Sequence, residues 1–110
     1  MSSGFLDKIN YESKFIDVYN FGDYIIRYSG VYYVGKNEEQ FSTPSILPEN
    51  HLRISLPQEA TRIDFRTQMW VEEKGVWKSF ATIIEPILGQ HCYKCSGTVK
   101  VPEFDFMICP

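Results

Sequence analysis

The chain has 110 residues and a mass of 12.8 kDa, which fits one domain over residues 1–110 with a single modest core. A formal net charge of −3 disfavours nucleic acid as a partner, because binding that blankets phosphates relies on summed positive charge. No apolar run reaches the roughly 18 residues needed to span a bilayer, and Met1-Ser2-Ser3-Gly4 lacks the basic and apolar start of a signal peptide, so a cytoplasmic protein with no membrane partner is expected.

Aromatic residues make up 15% of the chain, mostly Phe and Tyr, which favour strands. The expected fold is therefore β-rich, all-β or α+β: a compact antiparallel sandwich or small barrel of short strands. Residues 1–14 offer at most one short helix, with Phe5, Leu6 and Ile9 on one face. From Phe15 the pattern is β, over Phe15–Tyr19, Asp23–Tyr28 and Val31–Val34. Ser29-Gly30 reads either as a two-residue hairpin turn or as a bulge in one long strand. Lys36–Gln40 reads as a charged loop, Pro44 and Pro48 hold the next stretch extended, and Leu52, Ile54 and Leu56 alternate with polar residues.

Between Arg62 and Ile84 the alternation is strongest. Ile63, Phe65, Thr67, Met69 and Val71 face a core, and Glu72-Glu73-Lys74-Gly75 fits a turn closed by a glycine bulge that pairs Glu72 with Val76. That register sets Val71 against Trp77, Met69 against Ser79, Thr67 against Ala81 and Phe65 against Ile83. On the other face it sets Trp70 against Lys78, Gln68 against Phe80, Arg66 against Thr82 and Asp64 against Ile84.

All three cysteines fall in the last twenty residues. Thr98–Val101 and Phe104–Ile108 alternate around Pro102-Glu103, and a two-residue turn there pairs Val101 with Phe104, Val99 with Phe106 and Gly97 with Ile108, bringing Cys109 beside Cys95. Cys92-x-x-Cys95 with a third thiolate returned by a hairpin supplies three corners of a tetrahedral Zn²⁺ site. An odd cysteine count also fits a reduced compartment better than a disulfide framework, although a disulfide with one thiol left over is the alternative. Over residues 91–110 the pattern His91-Cys92-Tyr93-Lys94-Cys95-Ser96-Gly97 resembles the knuckle of zinc ribbons, and the resemblance implies a hairpin stapled by metal. The fourth ligand would be His51, His91, a carboxylate or water, with His51 slightly preferred because it follows a loop.

No catalytic motif stands out. A thiol nucleophile needs a base, for which only Cys92 with His51 is available, and Cys92-x-x-Cys95 is followed by a β pattern where a redox motif needs a helix N-terminus. A non-enzymatic binding protein is expected. Glu38, Glu39, Glu72 and Glu73 sit in expected turns and point outward, with Trp70 as a neighbouring aromatic anchor for a basic protein partner. The alternative is a single-stranded nucleic-acid-binding OB-like barrel that uses Arg66, Trp70, Lys78 and Phe80 as a face of cations and rings, unless that face packs as core. In type, size and charge alone the chain resembles small phage accessory proteins, among them anti-CRISPR inhibitors that dock on an RNA-guided nuclease. That resemblance implies a host protein machine as partner and a host cytoplasm as location.

Overall fold

Strand residues dominate because β-branched and aromatic side chains recur at alternate positions, and no helix occurs among the described residues. The computed structural model of the chain describes residues 14–110, so the short N-terminal helix expected over residues 1–14 lies, apart from Lys14, outside the described residues. The strands are β1 (Phe15–Asn20), β2 (Ile26–Val34), β3 (Asn37–Ser42), β4 (His51–Ser55), β5 (Ala60–Val71), β6 (Val76–Pro86), β7 (Gln90–Gly97) and β8 (Pro102–Met107). They form two four-stranded sheets, the first in the order β4-β1-β7-β8 and the second in the order β3-β2-β5-β6. Every pair is antiparallel except β1 with β7. The fold is a β-sandwich, not a barrel, which removes the OB-like alternative.

The two inner faces meet in one core. Ile16, Val18, Tyr93 and Cys95 of the first sheet pack against Ile26, Tyr28, Ile63, Phe65 and Met69 of the second. Tyr28, Phe65 and Tyr93 are fully buried and linked through tilted and edge-on ring contacts with centroids 5.5 and 5.6 Å apart. The hydroxyl of Tyr28 donates to Leu52 O at 2.7 Å, so its polar end is satisfied inside the core. Ser29-Gly30 is neither a turn nor a bulge: β2 runs through it, and Gly30 pairs with Phe41 on one side and Phe65 on the other. A Cβ at Gly30 would collide with the backbone of Asp64 and Phe65, so only glycine lets β2 lie this close to β5.

The β5–β6 hairpin splits into two halves. Below the middle, Thr67 meets Ala81, Arg66 meets Thr82, Phe65 meets Ile83 and Asp64 meets Ile84, the expected pairs. Nearer the turn the pairs are Gln68 with Ser79, Met69 with Lys78, Trp70 with Trp77 and Val71 with Val76, one residue away from expectation. The turn keeps four residues outside the ladder, closed by Gly75 N–H to Val71 O at 2.8 Å, and a bulge between Thr67 and Gln68 absorbs the difference.

Candidate functional site

The sandwich brings four connections to one end. β1 and β7 run parallel, so Asn20 and Gly97 finish together, and His51 at the start of β4 lies opposite Tyr19. Buried Asn20 ties these segments into one platform. Its Nδ2 donates to Tyr24 O at 2.7 Å and to Ile46 O at 3.1 Å, its Oδ1 accepts from Gly22 N at 3.0 Å, and its backbone N–H donates to Asn50 O at 2.8 Å. Phe21 N–H reaches Cys95 O at 2.8 Å, and the Tyr24 hydroxyl donates to Ser96 O at 2.6 Å, fastening the β1–β2 connection to β7. Burial pushes the Tyr24 phenol well above its ordinary range, so it stays a neutral donor.

This platform presents apolar side chains to solvent. Phe21 in the β1–β2 connection is 55% exposed, Leu47 in the β3–β4 connection 54%, Val76 at the start of β6 46%, and Val101 in the β7–β8 connection 64%. Between the β5–β6 turn and the β7–β8 turn lies a cleft of about 450 Å³, with Met69, Val71, Val76, Trp77 and Val99 on its walls and Glu73, Lys74, Lys78 and Lys100 as its charged residues. Turns on a protein surface are normally polar, so three exposed apolar residues on alternate connections, with Val76 at the first position of β6, make this end a candidate interaction surface. The signal was present in the sequence as Phe21-Gly22, Leu47-Pro48 and Val101-Pro102, apolar residues beside turn formers. Only the topology gathers them.

The residues singled out from sequence fall elsewhere or separate. β7 is extended through Cys92-x-x-Cys95, and neighbours three apart in a strand point to opposite faces. Cys92 faces outward and Cys95 inward, so no knuckle forms. The two-residue turn at Pro102-Glu103 is replaced by a turn over Thr98–Val101, which pairs Gly97 with Pro102, Cys95 with Phe104 and Cys92 with Met107. Cys109 therefore returns to Cys92, and the two form a disulfide with their Cα atoms 5.3 Å apart. Cys95 is the free thiol, buried in the core, with its pKa pushed up to about 12 by burial. Among the described residues no group of His, Cys, Asp and Glu is placed to hold a metal ion. The Zn²⁺ site of Cys92, Cys95, Cys109 and His51 or His91 is thereby overturned, and with it the zinc-ribbon resemblance and the metal staple.

His51 and His91 have other partners. His51 Nδ1 donates to Asp17 Oδ1 at 2.8 Å and its ring stacks on Tyr19 with centroids 4.3 Å apart. Arg53 Nε donates to the other carboxylate oxygen, Asp17 Oδ2, at 3.1 Å while its guanidinium lies 3.8 Å from the Phe15 ring centroid. Asp17 itself is 0% exposed. His91 Nε2 accepts the Leu88 N–H at 3.2 Å, and burial lowers its pKa, which keeps the ring neutral and able to accept.

The expected partner residues divide as well. Glu38 and Glu39 lie on β3, opposite Tyr33 and Tyr32, at the end of the second sheet away from the β5–β6 turn, whereas Glu72 and Glu73 lie in that turn. Of the aromatic and cationic face, the bulge turns Phe80 inward, where it packs edge-on against Tyr24 at 5.8 Å and Phe104 at 6.3 Å. Lys78 falls opposite Met69 on the cleft rim. Trp70 stays on the outer face of the second sheet, tilted against Trp77 at 5.4 Å, with the Arg27 guanidinium 4.1 Å from the Trp77 centroid. Arg66 remains exposed on that face, among polar neighbours.

No protein-family model matches the sequence, and no curated protein matches it. The fold has close counterparts among solved structures. The membrane-binding domain of pneumolysin superposes with a TM-score of 0.66 at 10% identity, covering 88% of this chain and 97% of that one. Listeriolysin O superposes with a TM-score of 0.65 at 16% identity over 91% of this chain and 23% of that one. A disulfide-locked intermedilysin with human CD59 gives 0.66 at 12% identity over 91% of this chain and 25% of that one. The chain thus spans about a quarter of the length of the whole toxins it matches and nearly all of the isolated domain. The chain therefore shares its fold with the membrane-binding domain of pneumolysin. The intermedilysin structure was solved with human CD59.

These findings overturn three further expectations. The reading as a zinc-stabilised phage inhibitor rested on a metal site that does not form, and the anti-CRISPR likeness rested on size and charge, whereas the fold is shared with toxins. The cytoplasmic placement falls too, because the Cys92–Cys109 bridge belongs to an oxidising compartment and the fold's counterparts are toxins.

Proposed function

We propose that this chain is a non-enzymatic docking module that works outside the reducing cytoplasm and seats its apolar-tipped end on a lipid membrane. The observation that carries the reading is the exposure of Phe21, Leu47 and Val101 on three connections, with Val76 at the start of β6, all at one end of the sandwich. Burying such side chains in the interface of a bilayer gains roughly 25 cal/mol for each Å² removed from water, and four of them together give enough for reversible attachment. Lys74, Lys78 and Lys100 beside this end are partly offset by Glu72 and Glu73, so attraction to anionic headgroups adds little to the apolar contribution. The likeness to the membrane-binding domain of pneumolysin supports the same surface class. No helix among the described residues is long and apolar enough to cross a membrane.

Co-sedimentation with vesicles of phosphatidylcholine, with and without phosphatidylserine or cholesterol, tests it. The protein is expected to pellet with vesicles, and the triple change Phe21→Ser, Leu47→Ser and Val101→Ser to abolish pelleting while the circular dichroism spectrum is retained. Unchanged pelleting of the triple variant, or failure of the native protein to bind any of these vesicles, would refute the reading. The intermedilysin structure favours a second one, a host surface protein as the docking target, for which binding to protease-treated cells is the discriminating measurement.

A further inference from the structure

The four edges of the two sheets are not equally defended. β3 carries Glu38 and Glu39, β4 is short and carries His51 and Arg53, and β8 begins at Pro102 and carries Glu103 and Asp105. Charge, brevity and proline are the usual devices that stop an edge from templating another strand. β6 is an eleven-residue edge whose defences, Lys78, the bulge near Phe80, Glu85 and the terminal Pro86, sit toward its ends and leave Ala81-Thr82-Ile83-Ile84 bare between them. That stretch is rich in β-branched residues, has no glycine or proline, and hydrogen-bonds only toward β5 among the described residues.

The surroundings of this edge are apolar too. Ile84 is 55% exposed on the outer face. β8 stacks over β6 through the Phe80–Phe104 contact, and two residues further along it Phe106 is 67% exposed. Leu88, just past the end of β6, is 87% exposed.

We propose that two copies of this chain pair antiparallel through Ala81–Glu85 of β6, joining their second sheets into one continuous sheet across a two-fold axis. An axis through Ile83 keeps every side chain on its own face, as the pleat requires. Thr82 of one copy then meets Ile84 of the other on the outer face, Ile83 meets Ile83 on the core-facing side, and Ala81 meets Glu85. No like charges face one another, and three of the four residues at the centre are β-branched, the pairs that stabilise antiparallel ladders. A second copy is the occupant that the edge itself specifies: an isologous interface needs a self-complementary strand, and this neutral stretch is one. The pairing is independent of the membrane reading, because β6 below its bulge lies away from the apolar-tipped end.

Sedimentation equilibrium of the full chain over a concentration series tests it. The weight-average mass is expected to rise from 12.8 kDa toward twice that value. Ile84→Lys and Thr82→Lys should each weaken association by at least about tenfold, equivalent to about 1.4 kcal/mol, whereas Ile84→Val and the control Gln40→Lys on β3 should not. Hydrogen exchange gives a second readout: amides of Thr82–Ile84 should become protected as concentration rises. A mass that stays at one chain throughout overturns the proposal, as does a dimer that survives Ile84→Lys with native circular dichroism. If dimers appear only after residues 1–13 are removed, the edge belongs to the chain's own N-terminal segment and the proposal fails.

Discussion

The outer faces of the two sheets are finished in different ways. On the first sheet, Phe15, Asp17 and Tyr19 of β1 are covered by side chains from its edge strand β4: Arg53 lies over Phe15, His51 stacks on Tyr19, and both hydrogen-bond Asp17. On the other side of β1, the Cys92–Cys109 bridge fixes the C-terminal segment over β7. On the second sheet, Trp70, Trp77, Arg27 and Gln68 lie against one another half-buried, beside a shallow groove of about 670 Å³ lined by residues including Ser29, Gln40 and Arg66. The first face is closed by charge pairing and a crosslink, so its integrity is part of the fold. The second is held by stacking and by the Arg27 Nε to Gln68 Oε1 hydrogen bond at 2.7 Å, and remains accessible. A sheet face becomes structural when a neighbouring edge strand supplies groups that satisfy its buried polar atoms, and stays a surface when it does not.

The largest test of that contrast removes both partners of Asp17. The double variant His51→Ala and Arg53→Ala leaves a fully buried carboxylate unpaired and is expected to lower unfolding free energy by about 3 kcal/mol, measured by urea denaturation. Asp17→Asn in that background should recover part of the loss. If the double variant costs no more than a surface substitution, the first face is not closed by charge.

Next comes the crosslink. Cys109→Ser frees a loop whose ends are 17 residues apart and is expected to cost about 3 kcal/mol, again read from the denaturation midpoint, while chelators should leave the native protein unchanged. Alkylation under denaturing conditions should label one thiol without reductant and all three after reduction. A chelator-sensitive midpoint would reinstate metal.

The smallest effect is expected on the second face. Trp77→Ala removes the contact with Trp70 and the Arg27 stack and should cost about 1 kcal/mol, because these groups stay partly hydrated in the native state. A loss as large as that of the Asp17 network would mean that both faces are structural.

Where the sequence was legible, local periodicity was enough. Phe15–Tyr19 and Ile63–Val71 repeat every second residue, and strands occur at both places. In the lower half of the β5–β6 hairpin the expected pairs are present, because many alternating residues must all face one core and a slip of one would turn every one of them out. The expected register starts from the turn, and two turn closures differing by one residue suit Glu72-Glu73-Lys74-Gly75, so the upper half differs by one until the bulge between Thr67 and Gln68 restores the expected pairs. The C-terminal hairpin failed for the same reason: Thr98–Val101 and Pro102-Glu103 are both competent turns. Gly97 chose between them, since its φ of 82° and the approach of Val101 O leave no space for a side chain, a circumstance created by the folded turn.

By itself, then, the amino-acid sequence determined a β-rich fold, the existence of most strands and the core-facing side of the long hairpin, because those depend on neighbours two residues apart. Tertiary structure decided the rest. The pairing of Cys92 with Cys109, the inward turn of Phe80, the burial of Asp17 beneath His51 and Arg53, and the convergence of Phe21, Leu47, Val76 and Val101 each join residues far apart in the chain. Such contacts follow from register and strand order, which are set when two sheets close on one core and which no local pattern encodes.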